Sequence, residues 1–462
     1  WLKPFRHKCS MGSKQPTHRR TLGAAALLSP LLLVTSPSLA CTGLLPSGRS
    51  KLLSSTAQPR GSCSKVARRA MSGAGAGKGQ ALGAVQQAFG AEEKGYEKMF
   101  DAMSTAPEFQ NEFGDVLQEL NASQRKMVTV RTLLPIAQTK IRSNPQETSA
   151  KRLRILEGYR GKAAGKGIPW NENRDKLLAR GLEEWEKERA ACTDKEVVEP
   201  SYWQLGGKGT LHSYDDGNCC WDAAFDAAMG AYELVHAHHF PDIHPKECFF
   251  KLHRVLDDET IDGLQGSRAA VALDVGCGTG TSTFSLRETL NSRGLESCKL
   301  TGVDLCTHFV AVARHRQAAG DKQDVPGALD FLHGDALRIS DKVAKAGEVD
   351  IFMASALTHE LPVWASSKLI EEASRLLRPG GVFGYFDLNP VQLLRDNPVS
   401  NIVDRVAISN EPFLADFLEF SLEEALASNG LDILKIRSTN TEKWPNWEDC
   451  PTRIVIARRT QQ

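Results

Sequence analysis

The stretch Leu273-Asp274-Val275-Gly276-Cys277-Gly278-Thr279-Gly280 constrains this chain more than any other. The apolar run Ala269 to Val275 has the length and composition of a buried strand. Thr281-Ser282-Thr283-Phe284-Ser285-Leu286 then opens a helical pattern with hydroxyl residues at its start. Between them, three glycines at alternate positions let the backbone turn sharply and leave no Cβ between it and a ligand. A helix N-terminus behind such a loop favours a carboxylate or a phosphate. The spacing is Gly-x-Gly-x-Gly, whereas a dinucleotide fingerprint places its third glycine one residue later. Any βα turn can carry glycines, so the segments downstream of the loop decide the reading.

Lys299-Leu300-Thr301-Gly302-Val303-Asp304 predicts a second strand that ends in a carboxylate, where it can accept two hydrogen bonds from a ribose diol. Leu329-Asp330-Phe331-Leu332-His333-Gly334-Asp335-Ala336 predicts a third strand with an acid at its tip, and Val349 to Ser355 a fourth. Leu376-Leu377-Arg378-Pro379-Gly380-Gly381 leads into a fifth, Val382 to Asp387, and Leu431 to Ile436 with Arg453 to Ala457 can close the sheet as an antiparallel pair. This ordered set resembles the Rossmann-like, class I S-adenosylmethionine-dependent methyltransferases. The resemblance covers roughly 269 to 457 and implies an α/β fold: a seven-stranded sheet with helices on both faces. It implies S-adenosylmethionine as the cofactor, its methionine end at the glycine loop. Its binding set would be Asp274, Gly276, Cys277, Gly278 and Gly280, then Asp304 with Leu305, Asp335 with Ala336, and Ser355. Within that set, Asp335 is similar to the acid that accepts from the adenine amine.

A chain of 462 residues exceeds this fold, so the catalytic domain has company. The net charge of +1 hides an asymmetry: thirteen of the 57 Lys and Arg precede Glu92 and none of the 56 Asp and Glu does. The remainder is acidic by twelve charges, which argues against nucleic acid as a partner. From Met11, Lys14, Arg19 and Arg20 make a basic start, Leu22 to Val34 an apolar core too short for a stable membrane span, and Ser38-Leu39-Ala40 a cleavage-like site. Cys41 to Lys78 is rich in Ser, Gly and Arg. Residues 1–80 thus resemble a two-part leader, signal-like then transit-like, for a plastid (chloroplast); secretion and a mitochondrial address are the alternatives. Eleven cysteines, with no Cys-x-x-Cys, suit buried thiols in a reducing compartment rather than disulfides or a structural zinc.

Residues 81–200 predict a helical accessory region without a catalytic signature, with Phe109, Phe113, Val116, Leu117 and Leu120 at helical spacing. A lid, a homodimer surface or a partner contact are its open roles. Residues 201–462 form the expected methyltransferase domain, with 201–265 as a cap. Within that cap Trp203, His212, Tyr214 and Trp221 crowd together, as in a segment that lines an acceptor pocket or a loop anchored in the core. His236 and His239, with His244 nearby, permit two metal ligands, but no acid or cysteine pattern completes a site, and a solvated helix end is the expectation.

A sulfonium methyl is already activated, so the protein must align an acceptor and, for an alcohol or phenol, remove a proton. Thr358-His359-Glu360-Leu361 follows the fourth strand, where acceptors sit in this fold. His359 is therefore the first candidate base or acceptor orienter and Glu360 its partner, unless either caps the next helix. His212 and Tyr214 come second, and Asp387 and Asn389 point toward the pocket mouth. Ala354-Ser355-Ala356-Leu357 replaces the Asn-Pro-Pro-Tyr of amine-specific enzymes, and Ser355 stands where a metal site would want an acid, so no catalytic metal is expected. The expected function is methyl transfer to oxygen, sulfur or carbon of a small-molecule acceptor. A binding or assembly protein of a large plastid complex that keeps the fold, or a protein methyltransferase, is the alternative.

Overall fold

The computed structural model describes residues 121–200, 202, 214–234, 239–240, 242–266, 269–319, 327–407 and 411–460. These fall in one of two units of the chain, Gln58–Gln462. The expected leader, the apolar repeat from Phe109 to Leu120, and Trp203, His212 and His236 lie outside the described residues.

Seven strands form one sheet: β1 (Val271–Val275), β2 (Lys299–Asp304), β3 (Leu329–His333), β4 (Val349–Ser355), β5 (Leu377–Leu388), β6 (Leu431–Ser438) and β7 (Thr452–Arg459). Their order is β3-β2-β1-β4-β5-β7-β6. β1 pairs in parallel with both β2 and β4, β5 with β4, while β7 runs antiparallel to β5 and β6. The expected doubly wound sheet with a closing antiparallel pair is the one observed. Central strands covered on both faces read as continuous apolar runs. Side-chain alternation then splits them between two cores. Leu273, Val275 and Phe352 pack on one face with Leu369 and Ile370. Ala272, Ile351 and Met353 pack on the other with Leu286 and Leu290. At the sheet edge, β6 places Lys435 and Arg437 against Glu259, charges that suit a strand with an unpaired side. The strand order reverses between β1 and β4, and in open α/β sheets the ligand crevice lies outside the carboxyl ends there.

Gly280 shows why the loop after β1 tolerates so little. Its φ is +83°, and a Cβ would stand 2.6 Å from the Phe331 ring. Gly280→Ala should destabilise the fold by about 1–3 kcal/mol through overpacking and backbone strain, read by urea denaturation.

The accessory helices belong to the same packed body. Four of them are described: α1 (Ala122–Arg142), α2 (Pro145–Gly165), α3 (Trp170–Leu178) and α4 (Leu182–Cys192). Asn144 caps α2 by accepting from Glu147 N, with Pro145 at the first helical position. Two cap helices come next, α5 (Trp221–Leu234) and α6 (Pro245–Asp262). Beyond β1 lie α7 (Thr281–Ser292), α8 (Thr307–Ala319), α9 (Val363–Leu376), α10 (Pro390–Asp396), α11 (Val399–Ala407) and α12 (Leu414–Glu419). Trp185 of α4 is fully buried among Trp221, Phe225 and Phe309, and its Nε1 donates to Leu177 O at 2.8 Å. Val130 and Leu133 of α1 share a core with Ile402 and Val406. The division expected at residue 200 therefore runs through shared hydrophobic cores. Trp185→Ala should cost about 3–5 kcal/mol of global stability, because the void opens at that junction. Among the described residues no helix is long and apolar enough to cross a membrane.

Candidate active site

The glycine loop is held open by its backbone. Gly276 and Cys277 donate their N–H groups to Val303 O at 2.8 and 3.2 Å, which ties the loop to β2. Gly276, Gly278 and Gly280 have φ of +66°, +55° and +83°. A Cβ on Gly278 would meet nothing within 4 Å, so its outer face is open space. Asp304, at the end of β2, accepts from Gly278 N and Cys306 N, both at 2.8 Å. Burial raises its pKa to about 6 although those two bonds pull it down. Each carboxylate oxygen keeps a lone pair for a further donor.

A cavity of about 300 Å³ joins this loop to the turn after β4. Gly276, Cys277, Gly278, Asp304 and Ser355 line it from the expected cofactor set. Gly280, Leu305, Asp335 and Ala336 do not line it. Gly280 is covered by Phe331, and Asp335 accepts from Leu337 N at the tip of the third strand. Cys277 is a buried thiol whose pKa burial pushes up, so it fills space and stays protonated. The accessory helices furnish Leu156, Tyr159 and Trp170 to the cavity, and the cap furnishes Tyr214, Asn218 and Asp226. The helical region thus forms part of the cavity wall, a role that its sequence did not suggest.

Asp274 has another role than the expected cofactor contact, and it does not reach the cavity. Its Oδ2 accepts from the Ser282 and Thr283 hydroxyls at 2.7 and 2.6 Å. It fastens the first turn of α7 to β1, an anchor for the loop. Arg316 grips the same loop from α8, donating to Thr279 O at 2.6 Å.

His359 and Glu360, on a short 3-10 turn, Thr358–Glu360, line the same cavity. Neither caps the helix that comes after it, whose N-cap is Pro362 without a side-chain bond. His359 meets both acids: beside Glu360 it has a second partner that the spacing did not suggest, its Nδ1 donating to Asp387 Oδ1 at 2.6 Å. Its Nε2 lies 3.7 Å from Glu360 Oε1. Burial lowers the His359 pKa, but the charge and hydrogen bond of Asp387 outweigh it and raise it to about 10. Asp387 thus favours the protonated imidazole over the free base that an unperturbed histidine would offer. Burial, reinforced by the charge of Glu411, pushes the Glu360 carboxyl up. Asp387 is the hub: its Oδ2 also accepts from Thr358 N at 2.9 Å and Thr358 Oγ1 at 2.8 Å. Asn389 does not face the cavity. It caps α10 through Val391 N and donates to Trp447 O and Cys450 O.

Tyr214 lies in the cavity wall as expected, but its hydroxyl donates to Asp226 Oδ2 at 2.5 Å. Burial and then Asp226 hold its pKa far above the ordinary range, so it stays a phenol. Asp226 is bridged in turn by Arg160 and Arg174. Of the histidines near residue 240, His239 differs from the expected solvated helix end, while His244 is exposed. His239 is buried and bonds Thr439 Oγ1 through Nδ1 at 2.9 Å, and His244 caps α6.

Sequence reasoning missed His253, Glu411 and the role of Asp387. His253 Nδ1 donates to Phe249 O at 3.1 Å, which leaves Nε2 to accept the Ser355 hydroxyl at 3.0 Å. Burial lowers its pKa to about 4. An unfolded histidine titrates near about 6.5, so the unfolded chain takes up a proton that the folded one refuses. The His253 contribution to stability should therefore fall as pH drops from about 6.5 to about 4, by about 3 kcal/mol at the lower end. Urea melts of wild type and His253→Gln across that window test this: the stability difference between the two proteins should change in favour of the variant as pH falls. Nothing in local spacing signals these residues: the His253–Ser355 and His359–Asp387 contacts span 102 and 28 positions.

Residues 272–381 match the family model described as a methyltransferase domain. Demethylmenaquinone methyltransferase of Staphylococcus epidermidis is 26% identical over 133 residues, 29% of this chain and 49% of that protein. The 2-phytyl-1,4-naphtoquinone methyltransferase of Thermosynechococcus vestitus is 28% identical over 143 residues, 31% of this chain and 57% of that protein. The chain thus spans about half the length of the curated relatives it matches. Among solved structures, a geranyl diphosphate methyltransferase in complex with its cofactor aligns over 47% of this chain and 88% of that one, at 17% identity and a TM-score of 0.35.

Proposed function

We propose that this chain, whose residues 272–381 match a methyltransferase domain, transfers a methyl group from S-adenosylmethionine to a small molecule held in the cavity. One observation carries the reading: a single cavity joins the open face of Gly278 and the Asp304 carboxylate to His359 and Glu360. The cofactor, when bound, supplies an activated sulfonium methyl. The protein does the rest. The N-terminus of α7 behind Gly278 to Thr281 suits the methionine carboxylate. Asp304, with lone pairs to spare, suits the ribose diol. Nothing fills the space over Gly278, where any side chain would meet the ligand. The residues therefore fit the cofactor.

Tyr159, Trp170 and Phe249 give the cavity an aromatic lining, to which His359, Glu360 and Asp387 add titratable groups. That combination suits a compact acceptor with an apolar body and one polar edge. Relatives named for naphthoquinone and menaquinone precursors support an acceptor of that kind. Glu360 stands where a proton must be removed if the acceptor is an alcohol or phenol. Incubation of the purified chain with methyl-labelled cofactor and a cell extract tests this. Label is expected in the small-molecule fraction. Label confined to protein, or none at all, overturns the reading.

The acid-free, basic stretch before Glu92 supports delivery to a plastid. A fluorescent protein fused behind residues 1–80 should accumulate there, and secretion of the fusion would overturn that address.

A further inference from the structure

We infer that His359 Nε2, Glu360 and Glu411 form a binding site for one divalent cation, on the reading of this end of the cavity as the acceptor end. One donor atom from each residue lies within 4.8 Å of the others. Two donors on one ion, each at about 2.1 Å, stand no more than about 4.2 Å apart, so sub-ångström side-chain shifts close the set.

Two observations point to a ligand there. The His359 side chain is 10% exposed. Its Nδ1 is spent on Asp387, and its Nε2 faces Glu360 with no hydrogen-bond partner among the described residues. Glu360 Oε1 is shielded from solvent and likewise has no hydrogen-bond partner. Asp387, accepting from Nδ1–H, is the outer carboxylate that ligating histidines commonly have, and it directs Nε2 at the two glutamates. The expectation of no metal rested on Ser355, but the donors come from elsewhere: the 3-10 turn after β4 and the segment between α11 and α12.

One imidazole and two carboxylates suit Mn²⁺, Fe²⁺ or Zn²⁺ better than a soft cation. Three protein donors leave positions open toward the cavity, where an acceptor bearing oxygen atoms would complete the shell. The acceptor is then a molecule with an oxygen-bearing edge.

Titration of the full chain, stripped with a chelator, with Mn²⁺ by electron paramagnetic resonance tests the site. One bound Mn²⁺ per chain is expected, displaced by Zn²⁺. Glu411→Gln and Glu360→Gln should each weaken it by at least roughly tenfold, with unchanged circular dichroism and unchanged calorimetric affinity for S-adenosylmethionine. A wild-type chain that binds the cofactor but neither Mn²⁺ nor Zn²⁺ overturns the cation site and leaves the methyltransferase reading intact. Equal Mn²⁺ affinity in wild type and both variants also overturns it. Mn²⁺ binding that depends on both glutamates, in a chain without cofactor affinity, upholds the cation site and overturns the proposed function instead.

Discussion

Gly278→Val should abolish S-adenosylmethionine binding and leave the fold standing. At φ +55°, with nothing within 4 Å of its missing Cβ, the position projects into the cavity rather than into protein. A valine there would occupy the volume of the ligand. The left-handed backbone adds roughly 1–2 kcal/mol of strain for a branched residue, too little to unfold a domain of this size. Calorimetry should show affinity reduced by more than roughly a hundredfold, about 2.7 kcal/mol. Asp304→Ala should act in the same assay by removing the ribose acceptor and orphaning Gly278 N and Cys306 N, a loss of about 2–3 kcal/mol. Undiminished affinity in both variants would show that the loop is not the cofactor cradle.

The second large effect concerns stability. Asp387→Ala should destabilise the protein by about 3–5 kcal/mol, because it removes the charged partner of a buried imidazole. Thr358 N, Thr358 Oγ1 and Leu388 N lose their acceptor at the same moment. Tyr385, whose hydroxyl meets Thr358 Oγ1 at 2.7 Å, loses the far end of its chain of bonds. Asp387→Asn keeps one acceptor oxygen and should cost less. Urea denaturation of the three proteins decides the matter. A change below about 1 kcal/mol for Asp387→Ala would mean that the pair is solvated and unimportant to the fold.

The order of the strands was legible in the chain itself, although β5 begins at Leu377 and includes the stretch Arg378 to Gly381 that was expected only to lead into it. Lys299–Asp304 and Val349–Ser355 end where apolar runs break into polar turns, and strand periodicity is a property of neighbours in sequence. The glycine loop was legible for the same reason, since positive φ after a strand calls for residues without a Cβ. Even so, Asp274 and Asp304 look alike in sequence, each an acid at a strand end. Only the helix packed behind β1 turns Asp274 toward Ser282 and Thr283, while Asp304 is left facing the cavity. At the acceptor end, spacing put Glu360 beside His359. The fold gave His359 a second acid, Asp387, across parallel strands that local sequence cannot bring into register. Glu411 reaches the same cluster from a segment between two helices, and Tyr159 and Trp170 close the wall from a region without any motif. Local composition thus determined which elements form and where the backbone can approach a cofactor. Which charges meet, and so which chemistry the cavity can support, was decided by long-range packing, because burial and Coulomb interaction act across space and leave no period in the chain.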